Sequence, residues 1–377
     1  MNNAARYYMI GGFLGAGKTT AVAALAQHLT KRGERVGLIT NDQGSELVDT
    51  AMLRARGFNT EEIPGGCFCC RFNSLVDAAR KLTTASRPDA FVAEPVGSCT
   101  DLVATVSYPL RRIYGNEFRL APLSVLVDPT RAEQVLGLRE GRKFSEKVLY
   151  IWRKQVEEAD LIVIAKCDLL DAARLDRLRE RLGAEFPGKA ILAVSVREGT
   201  GLTEWFDYLE NSEARLGDAM SVDYDTYAEG EALLGWLNAT ADITTTEELD
   251  SGALLEALAR RIQHELAASE IAHLKMTFSP DDGLGGEVAA LSLVRSDFVP
   301  ELSLRLEDPV RNGQLIVNCR AEADPAELRR ALEAGLAALP GLFSGLATTL
   351  VHAEQFRPGR PQPTHRLAHA GAAVVSA

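Results

Sequence analysis

The amino-acid sequence predicts an α/β protein in which a doubly wound, mostly parallel sheet is followed by a second, smaller α+β domain. Through the first half of the chain, short apolar runs alternate with helical patterns, as expected for strands covered on both faces. The pattern changes at residues 210–227, which are acidic and weakly periodic. With 377 residues, the chain is also longer than one ordinary domain.

The predicted strands of the first half are short, and each ends at or just before a polar residue or a glycine. Ligands of parallel sheets bind beyond the carboxyl ends of the strands, so these polar residues are the candidates for a site. Helices are predicted between the strands, over residues 18–32, 144–158 and 174–186. The strands cover residues 7–11, 35–40, 91–93, 123–127, 161–165 and 191–195.

The second half predicts a small α+β sandwich with its helices on one face. Its domain is expected at residues 229–356, after a first domain at 1–212 and a linker at 213–228. A disordered tail is expected at residues 357–377, which contain Pro, Gly and Arg but no acidic residue. The predicted strands cover residues 232–243, 273–278, 288–294, 315–318 and 348–354, and the helices cover 251–268 and 325–339.

The composition excludes several classes of function. The chain has 41 basic and 52 acidic residues, a net charge of −11, which argues against general binding to nucleic acid or to an anionic membrane. We find no apolar run near the length of a membrane-spanning helix, and we expect a cytoplasmic protein. Six cysteines are too few for a disulfide scaffold, so we expect a reducing compartment and metal or thiolate chemistry.

A phosphate-binding loop is the most specific motif. Residues 12–19, GFLGAGKT, fit the pattern G-x-x-x-x-G-K-[ST] directly after a predicted strand and before a predicted helix. Glycines in such a loop let backbone N–H groups surround the phosphates, and the helix N-terminus adds its dipole. Lys18 is predicted to reach the β- and γ-phosphates, and the Thr19 hydroxyl to bind Mg²⁺.

Three cysteines are crowded into one short segment, Gly65-Gly66-Cys67-Phe68-Cys69-Cys70. Thiolates at this spacing can converge on one soft or borderline ion such as zinc, and three sulfur ligands leave a fourth tetrahedral position for water, another side chain or a receiving protein. Cys67 and Cys70 also form a C-x-x-C pair, so a redox or regulatory site remains an alternative, as does a structural role. We expect Cys99 to pack within its loop, with a fourth thiolate ligand as the alternative.

Carboxylates follow two of the predicted strands. Asp42 comes after the second strand, where it could approach Mg²⁺ or the transition metal, and an ordinary polar loop is the alternative. Glu94 with Gly97 resembles the DxxG switch that senses a γ-phosphate, in which the carboxylate orients metal-bound or attacking water. Asp128 ends another strand without a motif, so a site role and a helix-capping role both stay open.

The strand at residues 161–165 ends in a near match to the guanine-binding motif N-K-x-D. Asp168 can accept hydrogen bonds from N1–H and the N2 amino group of guanine, while the Lys166 side chain covers the ring. Ala165 stands where Asn is usual, which removes one supporting group. Ser195, which ends the next strand, resembles the serine of the last base-binding loop of GTPases.

Together these motifs resemble the CobW family of P-loop GTPases, which is related to UreG and HypB. The resemblance covers about residues 7–209 and is specific, because few other P-loop proteins carry C-x-C-C between the phosphate loop and the second switch. It departs from the family at Asp42, where relatives carry Glu, at Ala165, and in lacking a histidine-rich stretch. We predict nucleotide contacts at Gly12, Gly15, Ala16, Gly17, Lys18, Thr19, Thr20, Gly97, Lys166, Asp168 and Ser195.

The resemblance implies a slow GTPase that acts as a metallochaperone or insertase. Its ligands would be GTP or GDP, Mg²⁺ and Zn²⁺ or Co²⁺, and its partner a client metalloprotein or cofactor-dependent enzyme; a nucleotide-dependent homodimer stays open. One alternative is a GTP-driven effector that reactivates a cobalamin-dependent enzyme through regulatory cysteines, and another is a phosphotransferase. The predicted catalytic residues are Lys18, Asp42 and Glu94, the magnesium ligands are Thr19, Asp42 and Glu94, and the transition-metal ligands are Cys67, Cys69 and Cys70.

Overall fold

The computed structural model describes residues 4–41, 48–115, 117–215, 217–281 and 287–369. Within these residues the chain divides into two compact units. The first consists of Met1–Gln43, Phe58–Gly230 and Arg360–Ala377, and the second of Gly44–Gly57 and Glu231–Gly359. The first unit holds a parallel sheet and the second an antiparallel sheet, which confirms the predicted fold class.

The first unit is built on an eight-stranded sheet in the order β3-β2-β4-β1-β6-β7-β8, with β5 also pairing with β1. Each of its pairs is parallel. The strands are β1 (Ala5–Gly12), β2 (Val36–Asn41), β3 (Thr60–Ile63), β4 (Ala90–Glu94), β5 (Phe118–Leu120), β6 (Ser124–Val127), β7 (Leu161–Ile164) and β8 (Ala190–Ala193). Because β1 lies between β4 and β6, the loop that follows β1 emerges at the centre of the carboxyl edge.

The second unit is built on a six-stranded antiparallel sheet in the order β12-β11-β10-β13-β9-β14. Its strands are β9 (Gly235–Thr245), β10 (Glu270–Pro280), β11 (Ala289–Leu293), β12 (Glu301–Leu304), β13 (Gly313–Glu322) and β14 (Leu346–Phe356). The helices of the chain are α1 (Lys18–Lys31), α2 (Val48–Ala55), α3 (Phe72–Ser86), α4 (Tyr108–Tyr114), α5 (Pro129–Val135), α6 (Glu146–Glu158), α7 (Ala172–Glu185), α8 (Leu202–Asn211), α9 (Tyr224–Leu233), α10 (Ser251–Glu265) and α11 (Pro325–Ala338).

The two faces of the second sheet bury different elements. Successive side chains of a strand point to opposite faces, and Leu315, Val317 and Cys319 of β13 share one apolar core with α10 and α11. The alternate residue Ile316 packs with a second small cluster that contains Val48 of α2. Helix α2 therefore covers the face of the sheet opposite α10 and α11.

Polar contacts hold α2 on this face. The Val48 backbone N–H donates to Asn318 Oδ1 at 3.0 Å, which satisfies a donor in the first turn. Asp49 accepts from Lys275 Nζ at 2.5 and 2.7 Å. Sequence reasoning expected residues 1–212 to form one domain, whereas α2 belongs to the second unit. The reason is that β10 and β13 carry polar side chains that bond to the polar groups of α2.

The structure also differs from the expected linker and tail. The first unit extends to Gly230, and Tyr227 is 1% exposed within what was expected to be a linker at residues 213–228. From Arg360 onward the described chain belongs to the first unit instead of forming a disordered tail from residue 357. Both segments belong to the first unit for the same reason, which is that some of their side chains are buried in it.

Among the helices of the described residues, none combines the length and apolarity needed to cross a bilayer.

Met52 provides a test of the docking of α2. An eight-residue helix is too short to be stable by itself in water, so its structure should depend on burial of Met52, which is 5% exposed. We expect Met52→Ala to cost about 2 kcal/mol or more in local stability and to speed amide hydrogen exchange across residues 48–55. The exposed Arg54 offers the control, since Arg54→Ala should leave that exchange near the wild-type rate; equal rates in the wild type and Met52→Ala would contradict the assignment.

Candidate functional site

The phosphate loop joins β1 to α1 in a conformation that requires glycine. Gly12, Gly15 and Gly17 have φ values of 132°, 78° and 95°, a region that residues with a Cβ rarely adopt. A Cβ at Gly12 would also lie 2.4 Å from the Leu126 carbonyl oxygen of the neighbouring strand. The loop thus runs close to the sheet and turns its backbone toward the start of α1.

The reactive side chains of this loop are buried at the helix start. Lys18 and Thr19 are each 7% exposed, and Ala16 is 1% exposed, whereas Thr20 is exposed. The Lys18 ammonium donates to the Phe13 carbonyl oxygen at 3.4 Å, across the curve of the loop. This places a positive charge and the first N–H groups of α1 together, an arrangement that suits an anion such as phosphate.

The loop after β4 contacts the phosphate loop at two points. The Thr19 hydroxyl donates to Glu94 Oε1 at 3.0 Å, and Glu94 is 5% exposed. A Cβ at Gly97 would lie 2.6 Å from Leu14 Cδ2 and 3.0 Å from the Leu14 nitrogen, so the two loops pack too closely for a side chain there. The hydroxyl and carboxylate oxygens are hard donors of the kind that Mg²⁺ prefers.

The predicted base-binding residues lie at the ends of β7 and β8. Lys166 adopts a left-handed conformation with φ 50°, and its ammonium donates to the Gly15 carbonyl oxygen at 2.8 Å and to Asp128 Oδ2 at 3.0 Å. The Asp168 carboxylate is exposed. Ser195 is 1% exposed, and its hydroxyl accepts from the Glu198 N–H at 3.1 Å.

Asp128 has the helix-capping role, one of the two that the sequence left open. It caps α5 by accepting from the Arg131 N–H at 3.0 Å, and its other oxygen pairs with Lys166. The Lys166 side chain therefore lies over the phosphate loop, with its stem 3.7 Å from the position of a Cβ on Gly17. Sequence reasoning could not pair Asp128 with Lys166 because β6 and β7 are adjacent only in the folded sheet.

The three predicted metal-ligating cysteines converge. The sulfur atoms of Cys67, Cys69 and Cys70 all lie within 4.8 Å of one another, with separations of 2.7, 3.2 and 3.7 Å. A tetrahedral zinc ion with Zn–S bonds near 2.3 Å would hold its sulfur ligands about 3.8 Å apart. The donor set thus fits one thiophilic ion after a small outward movement.

The thiols are electrostatically unequal because they share one buried space. Hydrogen bonds from Cys69, then from Cys70 and Cys99, hold the pKa of Cys67 well below its ordinary value. The hydrogen bond with Cys67 raises the pKa of Cys69 and raises that of Cys70 to about 12. The lowered pKa makes Cys67 the most readily deprotonated of the three thiols.

Asn41, at the end of β2, ties this strand to the cysteine segment. Its amide nitrogen donates to the Ile63 carbonyl oxygen at 2.8 Å and to the Gly66 carbonyl oxygen at 2.6 Å. The neighbouring Asp42, predicted as a magnesium ligand and catalytic residue, lies outside the described residues.

A C-terminal segment, residues 360–369, covers the cysteines and was missed by sequence reasoning. The Gln362 N–H donates to Cys70 Sγ at 3.2 Å, and the Thr364 N–H donates to the Cys69 carbonyl oxygen at 2.8 Å. Arg366 donates to Asp101 Oδ2 at 2.7 Å, and Asp101 is 1% exposed. The sequence did contain one signal for this contact. The segment has basic residues and no acidic ones, which favours an acidic partner elsewhere in the chain.

Comparison with known proteins gives a family match over the first unit. Residues 6–192 match the model described as "CobW/HypB/UreG, nucleotide-binding domain". The chain is 30% identical over 198 residues to "Zinc chaperone CobW" of Sinorhizobium sp, covering 47% of this chain and 54% of that protein. It is 30% identical over 166 residues to "Zinc chaperone YeiR" of Escherichia coli (strain K12), covering 43% of this chain and 47% of that protein.

The chain thus spans about half the length of the curated relatives that it matches. Among solved structures, HypB from Helicobacter pylori in complex with nickel is 17% identical, with a TM-score of 0.42, over 57% of this chain and 92% of that chain. A structural similarity this low carries no argument about function.

A buried carboxyl group supports the chain just beyond the Glu94 loop. Glu158, at the end of α6, accepts from the Thr100 hydroxyl and from the Val103 N–H, each at 3.2 Å. Burial, followed by the nearby charge of Asp101, raises the pKa of Glu158 to about 8. The native protein therefore keeps a proton on Glu158 at neutral pH that the unfolded chain releases.

Glu158 consequently makes stability depend on pH. The stability that it contributes is present in acid and is lost as the pH rises from the unfolded pKa, 4.5, to about 8. We expect the free energy of unfolding to fall by a few kcal/mol across this window in the wild type, and by less in Glu158→Gln. Urea unfolding at several pH values measures the difference. The exposed neighbour Glu157 supplies the control, Glu157→Gln. If the free energy of unfolding of Glu158→Gln fell with pH as steeply as that of the wild type, the assignment would be wrong.

Proposed function

Residues 6–192 belong to the CobW/HypB/UreG family, as their motifs predicted, and on this premise we propose that the chain is a slow GTPase and metallochaperone. It binds a transition metal, zinc or cobalt, at Cys67, Cys69 and Cys70, and it delivers the ion to a client protein. Nucleotide state controls how tightly the ion is held.

The convergence of the three cysteine thiols carries this proposal. Their sulfur atoms lie within 4.8 Å of one another, and they belong to the same unit as the phosphate loop. A structural zinc site is closed by four protein ligands, whereas three leave a position for exchange. Cargo that must be handed on requires such a position.

The nucleotide half of the site has the groups that phosphoryl transfer requires. Lys18 would bind the β- and γ-phosphates, and the backbone N–H groups of residues 12–17 would surround them. Thr19 and Glu94, 3.0 Å apart, would hold Mg²⁺ together with Asp42, and the ion would neutralise charge on the phosphates. Glu94 would also orient the attacking water.

The base would displace Lys166 from its present partners. Its ammonium now contacts Gly15 and Asp128, and its stem would instead cover the guanine ring. The exposed Asp168 carboxylate would accept from N1–H and N2 of the base. Ser195 would lie at the edge of the same pocket, since the Cys167 N–H donates to the Val194 carbonyl oxygen at 3.2 Å and holds the ends of β7 and β8 together.

Nucleotide and metal would be linked through the loops that border both sites. GTP would order the segments that carry Asp42 and Glu94 through Mg²⁺ and the γ-phosphate. Asn41 precedes the first of these segments and donates to Gly66, beside Cys67. A change of affinity for one ligand then requires an equal change for the other.

Several finer assignments belong to the same proposal. The client is a metalloprotein or cofactor-dependent enzyme, and the compartment is the cytoplasm, which keeps thiols reduced. The six cysteines, all of which lie within the described residues, form no disulfide bond with one another. A homodimer that forms in only one nucleotide state is compatible with this proposal.

Metal titration in different nucleotide states tests the central claim. We expect Zn²⁺ or Co²⁺ affinity to differ between the GDP-bound and GTP-analogue-bound protein by about 5- to 150-fold, the usual range for coupled sites. Competition titration with a chromophoric chelator measures the metal affinity, and fluorescent-nucleotide titration with and without metal measures the reciprocal effect.

Two variants complete that test. The triple variant Cys67→Ser, Cys69→Ser, Cys70→Ser should lose metal binding, and the buried cysteine of the second unit supplies the control, Cys319→Ala. Equal metal affinity in both nucleotide states, or wild-type affinity in the triple variant, would defeat the proposal. Metal-free protein with partner-stimulated GTPase activity would favour the effector alternative.

The base assignment is tested at Asp168. In Asp168→Asn the side chain presents an amide in place of the two-lone-pair carboxylate, so GTP should bind about 100-fold more weakly through the loss of charge-assisted hydrogen bonds. Xanthosine triphosphate, whose C2 carries a carbonyl group, should bind better than GTP. Asp176, also exposed, provides the matched control, since Asp176→Asn removes the same charge from α7. Unchanged GTP affinity in Asp168→Asn would rule out the guanine contact.

A further inference from the structure

The C-terminal segment, residues 360–369, binds the cysteine segment mainly through its own backbone. The Gln362 N–H donates to Cys70 Sγ at 3.2 Å, and the Thr364 N–H donates to the Cys69 carbonyl oxygen at 2.8 Å. The Thr364 hydroxyl adds a bond to the Cys70 carbonyl oxygen at 3.1 Å. The C-terminal segment therefore lies directly against two of the three predicted metal ligands.

Two prolines prepare the C-terminal segment for this contact. Pro361 and Pro363 flank Gln362; a proline fixes its own φ and keeps the residue before it extended. Prolines also have no N–H group, so the available donors here are the N–H groups of Gln362 and Thr364. Both of these donors bond to the cysteine segment.

An ion pair anchors the C-terminal segment beyond the cysteines. Arg366 Nε donates to Asp101 Oδ2 at 2.7 Å, and its Nη2 donates to Asp101 Oδ1 at 3.4 Å and to the Met220 carbonyl oxygen at 3.0 Å. Asp101 is 1% exposed and also accepts from the Tyr224 hydroxyl at 2.7 Å. A buried carboxylate that loses its cationic partner is destabilised, so this pair favours the docked segment.

The anchor is fixed, whereas the C-terminal segment is the part that can move. Asp101 has a φ of 63°, and its carbonyl oxygen accepts from the Thr105 N–H at 3.0 Å and from the Thr105 hydroxyl at 2.6 Å. The preceding Thr100 is held by its bond to Glu158 at 3.2 Å. Opening therefore means that Arg366 leaves Asp101.

The docked segment occupies the approach to the sulfur atoms. Cys67 and Cys69 are 5% and 1% exposed, and Cys70 is the one of the three that is partly exposed. The N–H of Gln362 lies against the Cys70 sulfur. An incoming ligand that is to share an ion with these thiols must reach the same place.

The contacts of the C-terminal segment are those of a cover that can open. Its Pro361 and Leu367 are buried, whereas Gln362 is exposed. Nδ1 of His365 is buried, and within the part of the chain that the structure describes it has no hydrogen-bond partner, which costs free energy. A short segment with few buried apolar residues opens more readily than the core around it.

We propose that the C-terminal segment is a gate on the cysteine site. Docked, it blocks the approach of an incoming ligand to the thiols; released from Asp101, it lets the ion pass between the thiols and a client. The inference rests on the proposed function for the identity of the cargo. The blocking of the thiols is a property of the metal-free protein and is tested there.

Thiol reactivity of the metal-free, full-length protein is the first measurement. Iodoacetamide alkylates accessible thiols, and mass spectrometry of peptides locates the modified cysteine. In Arg366→Ala we expect Cys70 to react about 10- to 100-fold faster than in the wild type, because a charge-assisted bidentate contact is lost. Amide hydrogen exchange at Thr364 and Leu367 should quicken by a similar factor, since one opening event exposes all three groups.

Matched variants separate the anchor from a general loss of charge. Arg360 belongs to the same segment and pairs with Asp225, whose side chain is 73% exposed, so Arg360→Ala should leave the Cys70 rate near that of the wild type. Asp101→Asn keeps the left-handed backbone, which Asn tolerates, and should reproduce the effect of Arg366→Ala. The double variant should react little faster than either single variant, because both remove one interaction.

The buried Cys319 of the second unit reports unfolding, and its alkylation should stay slow in every variant. If Arg366→Ala also exposed Cys319, the comparison of Asp101→Asn with the wild type would decide. Wild-type reactivity of Cys70 in Asp101→Asn would then overturn the gate.

Metal exchange is the second measurement. The zinc-loaded protein is mixed with a chromophoric chelator in a stopped-flow instrument, and zinc uptake by the metal-free protein is followed separately. In Arg366→Ala both release and uptake should be faster, so that the affinity changes much less than either rate. A purely structural role of Arg366 would instead weaken the affinity without speeding uptake, and that result would contradict the gate.

The two measurements distinguish failure of this inference from failure of the proposed function. If Cys70 reacts at the wild-type rate in both Arg366→Ala and Asp101→Asn, the gate is wrong, even where the protein binds zinc. Exchange of the Thr364 amide in the wild type at the rate of an unstructured peptide would also overturn it. Faster alkylation in both variants of a protein that binds no metal would support the cover and defeat the proposed function.

Discussion

The parallel pairing of β1 with β4 is the constraint on which the rest of the site depends. It aligns Met9 with Ala93, so the phosphate loop and the Glu94 loop leave the sheet side by side. The bond between Thr19 and Glu94 and the packing of Gly97 on Leu14 both follow from that register. A nucleotide that changes either loop must therefore affect the other.

The cysteine site depends on two separate parts of the first unit. The segment around Cys67 supplies the sulfur atoms, and the C-terminal segment donates an N–H to Cys70. Hydrogen bonds to a thiol favour the thiolate that a metal requires. Each part thus changes the ability of the same few sulfur atoms to hold an ion.

The second unit contributes a different kind of constraint. The chain that leaves β2 after Asn41 enters this unit, forms α2 on its sheet, and returns to the first unit at Phe58. The pair between Asp49 and Lys275 and the burial of Val48 and Met52 hold that helix. Asn41 and Val48, the described residues nearest to Asp42 in the sequence, are each held by hydrogen bonds within their own unit.

The sequence alone was sufficient for what depends on contiguous residues. The phosphate loop, the C-x-C-C segment and the Glu94 motif are each encoded within about eight positions, and the burial of a strand such as β7 is evident from its unbroken apolar run. The predicted fold class and family were confirmed for the same reason, since both rest on local patterns in a fixed order.

Only the tertiary structure decided which distant residues meet. Asp128 and Lys166 are 38 positions apart, and Gln362 and Cys70 are 292 positions apart, so no local pattern could pair them. The same holds for α2, whose short amphipathic pattern does not say which sheet it covers. Periodicity specifies that a face is buried, whereas the partner of that face is determined by the packing of the whole chain.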